Sequence, residues 1–326
     1  ARMTAEEAKE VSGVENIDYL DKFEETIGSI LERNRIEKLY LDLERQEIGA
    51  AITEPQYFAK MINERYPYIE IKNVYYDIAK LRVIKSDEEL QLMKKAIEIT
   101  KEGIENMIDN IKPEMMEYEI EAYFDFTLKK NGIYEKAFKT IAASGKNATI
   151  LHYVENNCNA EDGDLILFDL GAQYKYYNAD ISRTFPVNGK FTERQKQVYN
   201  IVLKAKEAVE EAARPGLPYK ELDEIAKKVL AEGCKELGLI EYDKELVKYY
   251  FHSVSHYLGL DAHDIGIYNT VLKPGMVITN EPGLYIEEEG IGIRIEDDLL
   301  ITEDGCENLS KDILKTVEEI EDYMNR

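Results

Sequence analysis

An α+β fold preceded by a smaller α/β segment is what the sequence predicts. Three observations carry it. From residue 84 onward the pattern runs helices, strand pair, helices, strand pair, helix, with helices grouped between strands as in α+β folds. The helical stretches carry apolar stripes at 3.6-residue spacing, and the strand candidates are short apolar or alternating runs. Residues 1–83 hold only two strand candidates, a thin sheet with open edges. The segment is therefore expected to be a partial α/β domain, and residues 84–326 a second domain of two loosely similar α/β halves.

The elements follow in order. Residues 17–33 place Ile17, Leu20, Phe23, Ile27, Ile30 and Leu31 on one helical face. Residues 38–43 form a short apolar strand. Pro55 suits a first helical turn, in a helix running to about Arg65. Residues 69–74 alternate like a half-buried strand. Ser86 and Glu89 make a capping box that opens a long helix, and Pro113 ends it. A helix over about 116–130 stops at Asn131-Gly132. Strands are expected at 165–168 and 181–187. Thr192 and Gln195 open a further helix that ends before Pro215-Gly216, and another covers about 219–237. Strands return at 276–279 and 292–295, and a last helix is expected over 311–324.

The chain has 326 residues, 65 acidic against 41 basic, for a net charge of −24. Hydrophobic residues make up 44%, enough for a sizeable core, so global disorder is excluded. The acidic balance argues against binding a phosphate backbone, which needs clustered Lys and Arg. It is compatible with metal cations. The three cysteines are far apart with no CxxC, which excludes a disulfide framework and a cysteine zinc site and points to a reducing, cytoplasmic compartment. No run approaches the ~18 apolar residues of a membrane span. The first seven residues are acidic rather than apolar, unlike a signal peptide.

The acidic residues near the strand pairs carry the chemistry. A hairpin turning at Tyr174-Lys175 pairs residues whose numbers sum to 349, which sets Asp169 opposite Asp180. Taken alone, a turn-adjacent aspartate capping a loop explains Asp169 equally well. A second hairpin with its tip at Glu288-Glu289 pairs residues summing to 577, which opposes Glu281 and Glu296. Glu287–Glu289 itself reads as a solvated tip. Four carboxylates converging on one site repel and raise each other's pKa values. Two divalent cations balance four such charges, in the two-metal arrangement with ions ~3.5–4 Å apart. Oxygen-rich ligation suits Mn, Mg or Ca, and one imidazole moves the balance toward Mn, Co, Fe or Zn.

The imidazole is expected from His252, His256 or His263. A buried structural histidine is the ordinary explanation for any one of them. Three within twelve residues, in a chain whose other histidine is His152, are harder to explain that way. A helical pair at His252 and His256 is a weak zinc motif here, because HExxH is missing and Gly259 follows closely.

Six ordered segments carry a resemblance: 150–156 around His152, 162–171 around Asp169, 180–191 from Asp180, 255–264 from Ser255 to Asp264, 273–283 around Glu281, and 292–298 around Arg294 and Glu296. Together they resemble the Xaa-Pro aminopeptidases (aminopeptidase P) of the pita-bread metallopeptidases, from about residue 84 to 310. The resemblance implies a pita-bread catalytic domain with pseudo-two-fold α/β halves. It implies two divalent ions, usually Mn2+ with Co2+ or Zn2+ as alternatives, held by Asp169, Asp180, His256, Glu281 and Glu296, with Asp180 and Glu296 bridging. A hydroxide bridging the metals would attack peptides with proline second and release the N-terminal residue. His263 would hydrogen-bond the scissile carbonyl, and Glu281 would shuttle the proton. His152 and His252 would line the proline pocket, and Arg294 would hold the substrate or the site. Ser253 stands where the family often has glycine after the histidine, which restricts φ locally.

Family members usually carry an N-terminal domain about twice the length of residues 1–83. There it helps close the site and often mediates homo-oligomers. A prolidase, restricted to Xaa-Pro dipeptides, shares the ligand set and is the nearest alternative. A methionine aminopeptidase fits less well, since it lacks the α/β piece before residue 84. A catalytically inactive pita-bread binding module or a metal-free creatinase-like relative would be expected to have lost ligand positions, and all five are present.

Overall fold

A computed structural model describes residues 3–44 and 49–326; Ala1 and Arg2, at the start of the acidic N-terminal stretch, lie outside them. The chain divides into two compact units, Ala1–Ile78 and Ala79–Arg326. The division falls within a helix, five residues before the expected boundary at 83/84.

The first unit contains α1 (Ala5–Ser12), α2 (Phe23–Arg33), β1 (Lys38–Leu41), α3 (Glu54–Arg65), β2 (Glu70–Asn73) and the start of α4 (Tyr75–Val83). Strands β1 and β2 pair in parallel, Lys38 with Glu70 through Leu41 with Asn73. Thr53 and Gln56 cap α3 reciprocally, with Pro55 in its first turn. The buried core is small: Leu31, Ile62 and Ile69. Among the described residues the sheet has two strands, as the sequence leads one to expect. Helices α1 and α4 went unread, α1 for want of any buried residue.

The second unit opens with α5 (Asp87–Asn110) behind the Ser86–Glu89 capping box, then α6 (Glu117–Lys130). The helices pack so closely that a Cβ at Gly103 would run into the Phe124 ring. β3 (Ile141–Ser144), β4 (Leu165–Leu170) and β7 (Ile181–Pro186) form an antiparallel sheet with β4 central, and β5 (Gln173–Tyr174) and β6 (Tyr177–Asn178) form the hairpin tip between β4 and β7. Helices α7 (Glu193–Ala212) and α8 (Glu221–Glu236) follow. The second half then repeats the plan. β8 (Val277–Asn280), β11 (Asp297–Ile301) and β12 (Cys306–Asn308) form a three-stranded sheet, and β9 (Gly283–Ile286) pairs with β10 (Ile291–Arg294). The main core joins Ile97, Phe124, Phe168, Phe185, Val202 and Ile293. A second cluster sets Val209 and Leu222 against Ile278 and Leu299.

Two expectations change. The first hairpin pairs Asp169 with Ser182 rather than with Asp180. Its turn is Lys175-Tyr176, both at positive φ (48° and 74°), one residue later than expected. Such a turn is normally announced by Asn-Gly, and Lys-Tyr gives no such sign. A one-residue shift of the turn moves the pairing by two, so facing is preserved and Asp169 and Asp180 still share a side. The last helix, α9, spans only Val317–Met324, capped by Thr316. Residues 311–316 lie outside the helix, and the carbonyls of Leu314 and Lys315 accept from Arg183 and Tyr199.

The second hairpin has the expected register. Gly283 pairs with Arg294, and Asn280 with Asp297. One long bent hairpin thus changes sheets at residues 281–282 and 295–296, where Glu281 and Glu296 sit. Its tip, Glu287–Glu289, is an exposed 3-10 turn.

Candidate metal centre

The four strand segments meet along one wall of a cavity of about 660 Å3. Strand alternation aims its side chains inward. Asp180 and Ser182 share a side, as do Arg294 and Glu296, and Glu281 and Tyr285. The backbone knits the halves together there: Glu296 N–H donates to Ser182 O (3.0 Å). His256 comes from an extended segment lying along β8, where Thr279 N–H donates to His256 O (2.9 Å) and Glu281 N–H to Val254 O (2.8 Å). No helix carries the histidines, so the helical pairing of His252 with His256 does not occur.

All the sequence-derived site residues line this one cavity: His152, Asp169, Asp180, His252, His256, His263, Glu281, Arg294 and Glu296. Asp180, His256 and Glu296 are buried and bring one donor atom each within 4.8 Å of one another. His256 Nε2 lies 3.4 Å from Asp180 Oδ2 and 3.6 Å from Glu281 Oε1. Its Nδ1 is 3.0 Å from Tyr257 O. A carbonyl can only accept, so Nδ1 carries a proton, and Nε2 is the ring nitrogen turned toward the carboxylates. Asp169 stands beside this cluster. Its Oδ2 accepts from Arg294 Nη2 (2.6 Å), and its buried Oδ1 has no partner.

Arg294 is almost fully buried. It donates to Asp169, to Ser182 Oγ (2.8 Å) and to Tyr285 OH (2.9 Å). Ser182 Oγ–H then donates to Glu296 Oε2 (2.7 Å). Of the two roles open to Arg294, its contacts are with the site. Tyr285 OH lies 2.9 Å from His252 Nε2, and His252 Nδ1 lies 2.8 Å from Ser253 O. The proton order is then fixed: Arg294 to Tyr285, Tyr285 to His252, His252 to the carbonyl. His252 thus has both nitrogens engaged where it lines the cavity. Ser182 and Tyr285 escaped the sequence reading, although each lies on the same strand side as a carboxylate already chosen.

The electrostatics are those of an under-compensated anion cluster. Burial, then the neighbouring carboxylate Asp169, pushes Asp180 well above its ordinary range. Glu296 is pushed well above by burial and Asp180. Burial raises Glu281 to about 7, against the lowering effects of His256 and Arg294. Burial and the Arg294 charge hold His252 down at about 4. His263 is lowered by burial and by His256, whose ring centre lies 4.1 Å away. Asp298, behind the cluster, accepts from Asp180 N–H (3.3 Å) and is likewise raised by burial.

These residues fit a divalent metal site. Hard oxygen donors and one imidazole nitrogen converge, Asp169 Oδ1 has no partner among the described residues, and the Arg294 guanidinium on the cavity wall does not balance four carboxylates.

An α+β unit that gathers strand-borne carboxylates and a histidine around a cavity defines a metallohydrolase-like centre. The sequence model of metallopeptidase family M24 matches residues 91–303, and the chain belongs to that family. Xaa-Pro aminopeptidase of Escherichia coli K12 is 41% identical over 266 residues, 76% of this chain and 60% of that protein. Xaa-Pro dipeptidase of Pyrococcus furiosus is 38% identical over 303 residues, 91% of this chain and 83% of that one. A Bacillus anthracis structure described as an aminopeptidase P superposes with a TM-score of 0.94 at 57% identity, over 99% of this chain and 78% of that one. Escherichia coli aminopeptidase P in a substrate complex gives 0.88 at 34% identity, over 99% and 78%. The chain spans about 60% of the length of the Escherichia coli and Haemophilus influenzae aminopeptidases that it matches. Its fold is the pita-bread α+β fold of these structures, preceded in sequence by a smaller α/β unit. Among the described residues no helix is long and apolar enough to cross a membrane.

Proposed function

We propose that the protein is a metal-dependent aminopeptidase that releases the N-terminal residue from peptides with proline second. The observation that carries this is the buried Asp180–His256–Glu296 cluster on the wall of the same cavity as His152, His252 and His263. Asp169, Asp180, His256, Glu281 and Glu296 would hold two divalent ions, manganese being the first candidate, with Asp180 and Glu296 shared. When bound, such a pair supplies a water acidified toward neutral pH as nucleophile and a Lewis acid for the carbonyl.

The chain's own groups do the rest. An X-Pro bond offers no N–H to grip, so recognition falls on the ring. His152, His252 and the apolar Leu151 and Val154 line the cavity where a ring can pack. His252, neutral and hydrogen-bonded on both nitrogens, packs without demanding a polar partner. His263, kept neutral by burial, donates an N–H toward the carbonyl oxygen as charge develops there. Glu281 would take the proton of the attacking water and pass it to the departing proline nitrogen, a general base and then general acid. Arg294 and Ser182 fix the orientation of Asp169 and Glu296, and Arg294, which lines the cavity, would also help hold the substrate.

The Pyrococcus relative favours a second reading, a dipeptidase restricted to Xaa-Pro. Tripeptides and dipeptides with proline second, offered with manganese, separate the two. Release of the first residue from the tripeptide is expected. Cleavage of the dipeptide alone makes the protein a dipeptidase, and cleavage of neither removes both readings.

A further inference from the structure

We infer that Arg82 is a positioning residue for His263, acting through carboxylates on both sides of it. The inference rests on the role just proposed for His263. That histidine sits in an irregular loop, which by itself would hold its ring loosely. Asp261 lies two residues before it and Asp264 one residue after. Arg82 Nη2 donates to Asp261 Oδ2 (2.7 Å) and also to Asp264 Oδ1. One guanidinium group therefore spans the histidine from below and pins both flanks of the loop.

The inner half of this clamp is built deep into the protein. The side chains of Asp264 and Lys85 are about 1% exposed, and Lys85 Nζ lies 3.3 Å from Asp264 Oδ2. Lys85 Nζ also donates to Arg82 O (2.7 Å), which ties the Lys85 ammonium to the Arg82 backbone. Asp264 N–H donates to Tyr257 O (2.8 Å). Gly259 closes the loop at its other end. A Cβ there would collide with the Asp264 carboxylate and with Lys85, so the ion pair can approach only because that residue is glycine. Gly259 O accepts from the backbone and side chain of Asn178, two residues before Asp180. The loop is thus tied on one side to the carboxylate hairpin and on the other to Arg82 and Lys85. Both cations precede residue 91, where the family match begins. Both bonds leave the one nitrogen Nη2, which stands a bond farther from Cα than a lysine Nζ, so a lysine ammonium at this position falls short of the two carboxylates.

The test compares Arg82→Met, Arg82→Lys and Asp261→Asn in the full chain. With a proline tripeptide and manganese, Arg82→Met is expected to lower kcat by roughly 10–100-fold, less than the roughly 10²–10³-fold for deleting a transition-state donor outright. KM and manganese uptake stay unchanged, and Arg82→Lys restores only part of the loss. In a His263→Ala background the Arg82→Met substitution then costs about 2-fold or less, since the two act as one unit. With four histidines in the chain, imidazole 15N–1H spectra of the metal-free protein give a readout that needs no turnover. The His263 signals are expected to move toward those of free histidine in Arg82→Met while the His152 signals stay in place. If Arg82→Met does not fold, Asp261→Asn decides, because that carboxylate is largely exposed and removes only the outer prong. An unmoved His263 signal in whichever variant folds, or an Arg82 effect undiminished in the His263→Ala background, overturns the inference. Loss of tripeptide cleavage in the wild type with the spectral shift intact counts against the peptidase reading alone.

Discussion

Replacing Glu281 by glutamine should make the metal-free protein more stable at neutral pH, although it turns a carboxylate at the centre of the site into an amide. Burial raises the Glu281 carboxyl to about 7, against 4.5 when exposed. Below pH 4.5 it is protonated in both folded and unfolded chains. Above that value the unfolded chain releases its proton first, so folding loses about 1.4 kcal/mol per pH unit until pH 7. The loss is roughly 3 kcal/mol in all, present in full above pH 7. Glutamine has no such slope. Wild type alone would hide the effect, because His252, held at about 4 instead of 6.5, contributes the opposite slope over pH 4 to 6.5. The difference between variant and wild type cancels that contribution. Urea unfolding of both proteins after chelation, at pH 4.5 and pH 8, should show Glu281→Gln gaining roughly 3 kcal/mol on wild type as pH rises, which corresponds to a relative Tm gain of about 5 °C for a chain of this length. Added manganese should reverse the order, because ligand binding stabilises the folded state that retains all its donors. A stability difference that stays constant with pH would refute the reasoning, for it would mean that Glu281 is not held in a crowded, desolvated anion cluster.

Asp180→Ala should abolish tripeptide cleavage and cut manganese content while leaving the thermal transition cooperative. Full activity in that variant would exclude Asp180 from the site. Arg183→Met should cost about 3–5 kcal/mol in urea unfolding, as is typical when one partner of a buried ion pair is removed. The guanidinium is fully buried and donates to Asp297 Oδ1 (2.6 Å), Leu314 O (2.8 Å) and the Glu296 carbonyl. A cost below about 1 kcal/mol would show that Lys206, the other cation on Asp297, suffices alone.

Much of the site could be read from the chain because its carboxylates ride on hairpins. A hairpin converts a spacing in sequence into a facing in space, and the odd spacings 169/180 and 281/296 both gave the correct side. The Glu281–Glu296 register survives because residues 280–286 and 291–297 keep one ladder through a change of sheet. The Asp169 partner was misplaced by two residues because Lys175-Tyr176 adopts positive φ without the residues that usually announce it. Helices with capping boxes at Ser86 and Thr192 were found close to their true starts. Residues 311–316 were misjudged because their carbonyls serve Arg183 and Tyr199, tertiary demands that no local periodicity records. Strand β3, four buried small or apolar residues, is too short to carry a pattern of its own. Ser182 and Tyr285 were legible in principle: each falls on the inward side of a strand that already carried a chosen carboxylate. The Arg82–Asp264 pair was not, since its members are 182 residues apart and each reads as an ordinary surface charge.

The account depends on Asp169, Asp180, His256, Glu281 and Glu296 caging two doubly charged ions. Equilibrium dialysis against manganese followed by elemental analysis tests this most directly, with the Asp180→Ala variant alongside. Two manganese ions per wild-type chain and a clear deficit in the variant are expected. A wild type that retains no manganese, or a variant that retains as much as wild type, would contradict it.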